Sequence, residues 1–308
     1  MKKFFLLSIL VTACELPPTE PSPTQSPTPT PTVIGENPKA DPKPNPPTTT
    51  PPANNAPKPS LNKITDLVGS SKCAQYSWKD RGKSPLAYLQ GVSLTYARAL
   101  CQPNREDVKL VSAPRKLPEP LWDYVDSLSW YNSNFNALGL SNDNEGVETL
   151  RNSYTLLIGL GMRESSGRYC LGRDMSGNYS TADTAEAGLF QASWGAHYTN
   201  PALLRLHKKY QEVKEKCFLE VFSKNVSCSA QEAKNWGTGE GVNWQKMTKE
   251  CPAYAVDYSA VLLRTSGGSQ GEFGPLRRKE AELNLNCHEM LKQVESVIKA
   301  EPQICTLF

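Results

Sequence analysis

Residues 145–194 read EGVETLRNSYTLLIGLGMRESSGRYCLGRDMSGNYSTADTAEAGLFQASW, an apolar helix that stops on a charge and runs into a polar loop. Val147, Leu150, Tyr154, Leu157, Ile158 and Gly161 recur at helical spacing over residues 145–163. Ser165, Ser166 and Gly167 halt the helix just after Glu164. Residues 168–187 are polar, Gly-containing and non-periodic, which predicts a long loop, with room for a short hairpin. A carboxylate at a helix C-terminus faces the negative end of the macrodipole. If its site is also apolar, it holds its proton more tightly. A carboxyl kept protonated near neutral pH is what a general acid for glycosidic cleavage requires. On this physics alone the plainer reading prevails, a solvated residue that ends its helix, because helix-end Glu residues are common.

Outward from this stretch the chain is predicted mainly α. Helical patterns cover residues 84–100, a shorter aromatic run at 120–130, and 201–222, which Asn200 caps and Pro201 opens. Residues 251–264 are apolar on nearly every side, the mark of a helix at the centre of a bundle. Gly274 and Pro275 open a last long helix with Leu276, Leu283, Cys287, Met290, Val294 and Val297 on one face.

The chain is two materials. Sixteen of its 25 prolines fall between Glu15 and Ser60, a stretch that favours extended polyproline II and buries no core. At about 3.1 Å per residue it would reach on the order of 140 Å. Residues 61–308 hold 29 basic and 27 acidic side chains, a net charge of +2 that gives nucleic acid no support as a partner.

The first residues read as an address. Lys2 and Lys3 precede an apolar run from Phe4 to Val11, too short to span a bilayer, which needs about 20 residues. With Val11-Thr12-Ala13 leading into Cys14, this end resembles the lipobox of bacterial lipoproteins. That resemblance implies a signal peptide at 1–13, a lipidated Cys14 heading a linker at 14–60, and an exported head at 61–308. The head would be anchored by lipid to a bacterial membrane, facing the periplasm or cell surface, with the outer membrane expected. Lipidation of Cys14 leaves eight cysteines: Cys73, Cys101, Cys170, Cys217, Cys228, Cys251, Cys287 and Cys305. Their even number and export predict four disulfides. The pairing stays open, with the short Cys217–Cys228 interval the favoured single pair. No CxxC pair or ligand-spaced His occurs, so neither a metal nor a cofactor is expected.

RESSG at 163–167 followed by AGLFQ at 187–191 resembles the Glu-Ser and Gly-Leu-Met-Gln motifs of soluble lytic transglycosylases and goose-type lysozymes. CPAYAVDYSAVLLR at 251–264 resembles the buried helix that gives a Tyr to the catalytic Glu in that superfamily. NWGTG at 235–239 and FGPLRRKEAEL at 273–283 are similar to a cysteine-rich secreted branch that includes a predatory-bacterial lysozyme for deacetylated peptidoglycan. The resemblance implies a disulfide-stapled, lysozyme-like helical domain. It implies Glu164 as catalytic acid and Ser165 as its neighbour. Gly188, Leu189, Phe190 and Gln191 become a substrate-binding strip, with Phe190 where Met is usual. Tyr254 becomes the Tyr serving the acid, with Tyr258 one turn later as the spare. The substrate would be the glycan strand of peptidoglycan, acetylated or deacetylated, cut by a monomeric muramidase.

A hydrolase of the inverting kind adds a second carboxylate to activate water. Asp174, Asp183 and Glu186 are the candidates, and the resemblance favours Asp183. Another Asp of goose-type lysozymes would fall just after the Gln motif, where this chain has Ser193. A lytic transglycosylase instead uses the substrate's own 6-hydroxyl and can manage with one Glu. Asp in a loop also serves simply to make turns. Tyr169, Tyr179, Trp194, Tyr198, Trp236 and Trp244 fit either a sugar cleft or core packing. Arg163, Arg168 and Arg173 fit either peptide-stem carboxylates or a solvated basic edge. A third alternative is a glycan-binding adhesion module that keeps the fold without the chemistry, against which the presence of Glu164 counts. No HExxH supports a metal hydrolase.

Overall fold

The computed structural model describes residues 60–116, 125–174, 181–213 and 216–308. The leader, Cys14, the proline-rich linker, Tyr179 and most of the first half of the 120–130 helix expectation lie outside the described residues.

In chain order the helices are α1 (Asn62–Ser70), α2 (Lys72–Gln75), α3 (Leu86–Cys101), α4 (Glu106–Ser112), α5 (Ser127–Trp130), α6 (Asn132–Ala137) and α7 (Val147–Ser165). There follow α8 (Pro201–Glu212), α9 (Leu219–Phe222), α10 (Glu240–Glu250), α11 (Pro252–Thr265), α12 (Gly274–Arg277) and α13 (Leu285–Ala300). A two-stranded antiparallel hairpin, β1 (Ser77–Trp78) and β2 (Gly82–Lys83), pairs Ser77 with Lys83 and Trp78 with Gly82. The class is mainly α, as the periodicity predicts.

The centre is α11, buried at every position from Pro252 to Arg264. Around it pack α3, α4, α7, α8 and α10, while α13 lies against α3 and α7. The two charges that α11 buries are matched. Asp257 receives Arg98 at 3.0 Å, Arg105, and the Tyr210 hydroxyl at 2.8 Å. Arg264 pairs with Asp126 at 2.9 Å and donates to the carbonyls of Val111, Ala113 and Pro114. Breaking either pair would strand a buried charge, a defect typically costing about 3–5 kcal/mol.

Two predicted helices are broken. The run from Pro201 ends at Glu212, and its C-terminal part returns only as the single turn α9. Phe218, between them, has φ of 52°, a conformation that cannot continue an α-helix. The run from Gly274 is α12, then a bent segment with Lys279 at φ 54°, then α13. Asn284 starts α13 afresh, its side chain accepting from the N–H groups of Asn286 and Cys287.

Four disulfides staple the head: Cys73–Cys287, Cys101–Cys305, Cys170–Cys228 and Cys217–Cys251. The expected Cys217–Cys228 pair is therefore corrected. The turn at Phe218 sets Cys217 beside the start of α11, where its carbonyl accepts from Ala253 N–H. Cys228 instead heads a segment that lies along the loop after α7. Gly172 N–H donates to Glu232 O at 2.7 Å and Arg173 N–H to Lys234 O at 3.3 Å. Four disulfides are the mark of an oxidising compartment outside the cytoplasm. No helix among the described residues is long and apolar enough to cross a membrane.

Candidate functional site

α7 is buried along nearly its whole length, so its C-terminal turn is fixed in place. Two glycines allow that. A Cβ on Gly159 would collide with the Glu282 carbonyl, and one on Gly161 with the Tyr88 hydroxyl. The same Tyr88 hydroxyl contacts the carbonyls of Leu157 and Ile158 at 3.1 and 3.0 Å. Ser166 then turns left-handed at φ 54°, and the N–H groups of Ser166 and Gly167 satisfy the carbonyls of Met162 and Gly161. Glu164 is thus delivered on a rigid helix end to the wall of a cleft of about 500 Å³.

The cleft is intensely charged. Glu164, Asp174, Glu186, Glu232 and Glu280 line it, with Arg81, Arg163, Arg168, Arg173, Arg277 and Arg278. Several of these neutralise one another: Arg168 pairs with Glu232 at 2.6 Å, Arg278 with Glu280 at 2.9 Å, and Arg163 with Glu280 at 3.6 Å. Arg173 stands over the Trp236 ring, 5.8 Å from its centroid. Arg277 donates to the carbonyls of Gly271 and Glu272. Of the basic residues singled out in the sequence, Arg163 and Arg168 are therefore engaged by protein carboxylates and Arg173 is set on an aromatic face.

Glu164 holds its proton well above the ordinary carboxylate range. Burial is the main cause, Glu186 and Asp174 add like charge, and Arg278 and Arg277 oppose them. Glu186 is pushed up to about 7 by burial and by the charges of Glu272 and Asp174, with Arg277 opposing. Two neighbouring carboxyls that cannot both ionise cheaply share the cleft.

Of the carboxylates foreseen, Asp174 reaches this cleft and Asp183 is not among its lining residues. Asp183 sits in the 3-10 turn Ala182–Thr184, closed by a Thr181–Thr184 capping box, with its carbonyl packed toward Gly195. The box is made by Thr181 and Thr184, with Asp183 carried between them in the turn. Glu186, three residues on, lines the cleft with Glu164 and Asp174.

The strip after it divides by face. Gln191 lines the cleft, and its side-chain amide donates to Gly188 O at 2.9 Å and Gly172 O at 3.3 Å. Its backbone is left-handed at φ 45°, a costly state for a non-glycine residue that persists only where the surroundings impose it. A bridge between Ala187 and Ala192 closes the turn. Gly188 donates its N–H to Leu171 O at 2.9 Å, joining this turn to the loop after α7. Leu189 and Phe190 are buried; Phe190 packs against Gly161 of α7. Ser165 is buried too, and its hydroxyl turns back to Gly161 O at 3.0 Å.

The two tyrosines lie in the core behind the cleft. The Tyr254 hydroxyl accepts from Trp244 Nε1 at 3.0 Å and meets His207 Nδ1 at 3.1 Å. Tyr258 is nearer the strip, its hydroxyl 3.4 Å from Ser193 O. Trp194 and Trp244 are buried in the core, Tyr169 packs on its margin, and Tyr198 stands exposed.

Sequence reasoning did not find Glu272, Arg277 or Arg278. All three come from the turn after α11 and from α12 and its end, far from Glu164 in sequence. FGPLRRKEAEL marks the segment, but nothing local marks where it docks.

No protein-family model matches the chain, and no curated protein or solved structure matches it.

Proposed function

We propose that the protein is a peptidoglycan-cleaving glycosidase, a muramidase acting on the MurNAc-GlcNAc backbone, with Glu164 as general acid and Glu186 as the second carboxylate. The observation that carries this reading is one pair: a carboxyl fixed at the end of a buried helix and held protonated, beside a second one poised to about 7. Near neutral pH Glu164 favours its protonated form, while Glu186 divides between its two forms. Glu164 then donates to the leaving glycosidic oxygen, and ionised Glu186 takes a proton from the attacking water. The resemblance of RESSG and AGLFQ to the lysozyme-like superfamily supports the substrate class. A lipid on Cys14 and the proline-rich linker would hold the head away from its membrane, within reach of the wall. We expect it to act as a monomer.

Glu164→Gln keeps the shape of the side chain and removes its proton. It is expected to abolish clearing of purified sacculi, by at least about a hundredfold, with the fold intact by circular dichroism. Undiminished clearing would sink the assignment. Mass spectrometry of the released fragments reads the reaction. Reducing ends mean hydrolysis, and 1,6-anhydro ends mean a lytic transglycosylase in which Glu186 need not act as base. Parallel digests of acetylated and deacetylated walls identify the substrate form.

A further inference from the structure

Glu272 lies in the turn between α11 and α12, eighty-one residues along the chain from Gln191, yet it is built into the same turn. Its carboxylate accepts from Ser193 N–H at 2.8 Å and from the Ser193 hydroxyl at 2.6 Å. Ser193 follows the Ala187–Ala192 bridge that closes around left-handed Gln191. The Tyr258 hydroxyl reaches the Ser193 carbonyl from the core side. Ser193 is thus gripped at its N–H, side chain and carbonyl, two residues after Gln191, a cleft residue whose backbone is strained. Two donors converging on one carboxyl oxygen hold a loop more firmly than a single hydrogen bond does.

We propose that Glu272 is a positioning residue of the cleft: it clamps Ser193, and with it the Gly188–Gln191 turn, and it sets a negative charge beside Glu186. The inference deepens the glycosidase reading and rests on it for the catalytic meaning of Glu186. The charged groups facing Glu186 are Glu164, Asp174, Glu272 and Arg277. Those facing Glu272 are Glu186 and Arg277, with the Ser193 donors and the Tyr258 phenol. After burial, the charge of Glu272 is the largest influence holding the proton on Glu186. Burial likewise raises Glu272, while the two Ser193 bonds and Arg277 favour its ionised form. The clamp and the charge are separable, because glutamine keeps an acceptor oxygen and loses the charge.

The test uses the full chain with 13C-labelled glutamate carboxyls and two variants, Glu272→Gln and Glu272→Ala. In Glu272→Gln the Glu186 carboxyl is expected to titrate lower by about half a pH unit or more, with KM on sacculi changed by no more than about twofold. In Glu272→Ala the same titration shift is expected, together with a rise in KM of about tenfold as the turn loses its hold. A Glu186 midpoint that stays put in both variants would overturn the proposal, as would equal KM values for the two. Should the wild-type chain leave walls intact, the glycosidase reading fails, and the titration arm still decides whether Glu272 acts on Glu186. Should Glu272→Ala not fold, Glu272→Gln alone carries the titration test.

Discussion

Glu186 carries a charge that the fold does not want. Its proton leaves at about 7 in the native protein against an ordinary value of 4.5, so the neutral form is the better accommodated one. The stability it contributes is fully present below about 4.5 and is lost as pH rises through about 7. Glu186→Gln fixes the neutral form. It is therefore expected to leave the melting temperature near pH 4.5 almost unchanged and to raise it by several degrees at pH 8.5, as read by calorimetry. An equal shift at both pH values would mean that shape, not charge, is responsible. The same variant removes like charge from beside Glu164, whose own proton should then be held less tightly. At this scale the sequence was legible for Glu164, where helix, stop and motif coincide at one residue. It was less so for its partner. Asp183, Asp174 and Glu186 share one loop, and only the capped turn at 182–184 decides that Glu186, rather than Asp183, lies with Glu164.

The helix end that presents Glu164 depends on close packing that a single methyl can spoil. In isolation, alanine for glycine in a helix interior gains about 1 kcal/mol. At Gly161 the added Cβ meets the Tyr88 hydroxyl and lies 3.1 Å from the Phe190 ring. Overpacking should outweigh propensity, so Gly161→Ala is expected to destabilise by about 1–3 kcal/mol in urea denaturation. Placing it in a Tyr88→Phe background removes the colliding oxygen and should recover part of that loss. If the two changes simply add, the collision is not the cause. The central helices α3, α7 and α11 were legible because their faces repeat over many residues. The breaks within 201–222 and 274–297 were not, because apolar periodicity continues through both. Phe218 and Lys279 adopt left-handed backbones that no residue preference announces. Asn284 is the exception, an N-cap in plain view that a continuous helix pattern conceals.

The stapling of the head is uneven. Cys73–Cys287 and Cys101–Cys305 span 214 and 204 residues, tying the first helices to the last. Cys217–Cys251 closes 34 residues and Cys170–Cys228 closes 58. In the chain-entropy account a loop of over 200 residues limits the unfolded chain by about 5 kcal/mol, and one near 35 by about 4 kcal/mol. Eight cysteines at one parity forecast the number of bonds, yet spacing misleads about partners. Proximity in sequence favours Cys217 with Cys228, whereas the turn at Phe218 and the segment along the cleft loop send each elsewhere. Alkylation of denatured, unreduced chain made without lipid should label Cys14 and none of the other eight. Peptide mapping should then return the four pairs above, and a Cys217–Cys228 peptide would contradict this fold. The short Cys170–Cys228 bond matters for a different reason. It joins the loop after α7 to the segment carrying Glu232, which pairs with Arg168 on the cleft wall. A Cys170→Ser, Cys228→Ser double variant is expected to keep most of its helical signal and, under the proposed function, to clear sacculi about tenfold more slowly or worse, because the cleft wall loosens while the core keeps its three other staples. Full activity in that variant would mean that the hydrogen bonds at Gly172 and Arg173 hold the wall without the sulfur bridge.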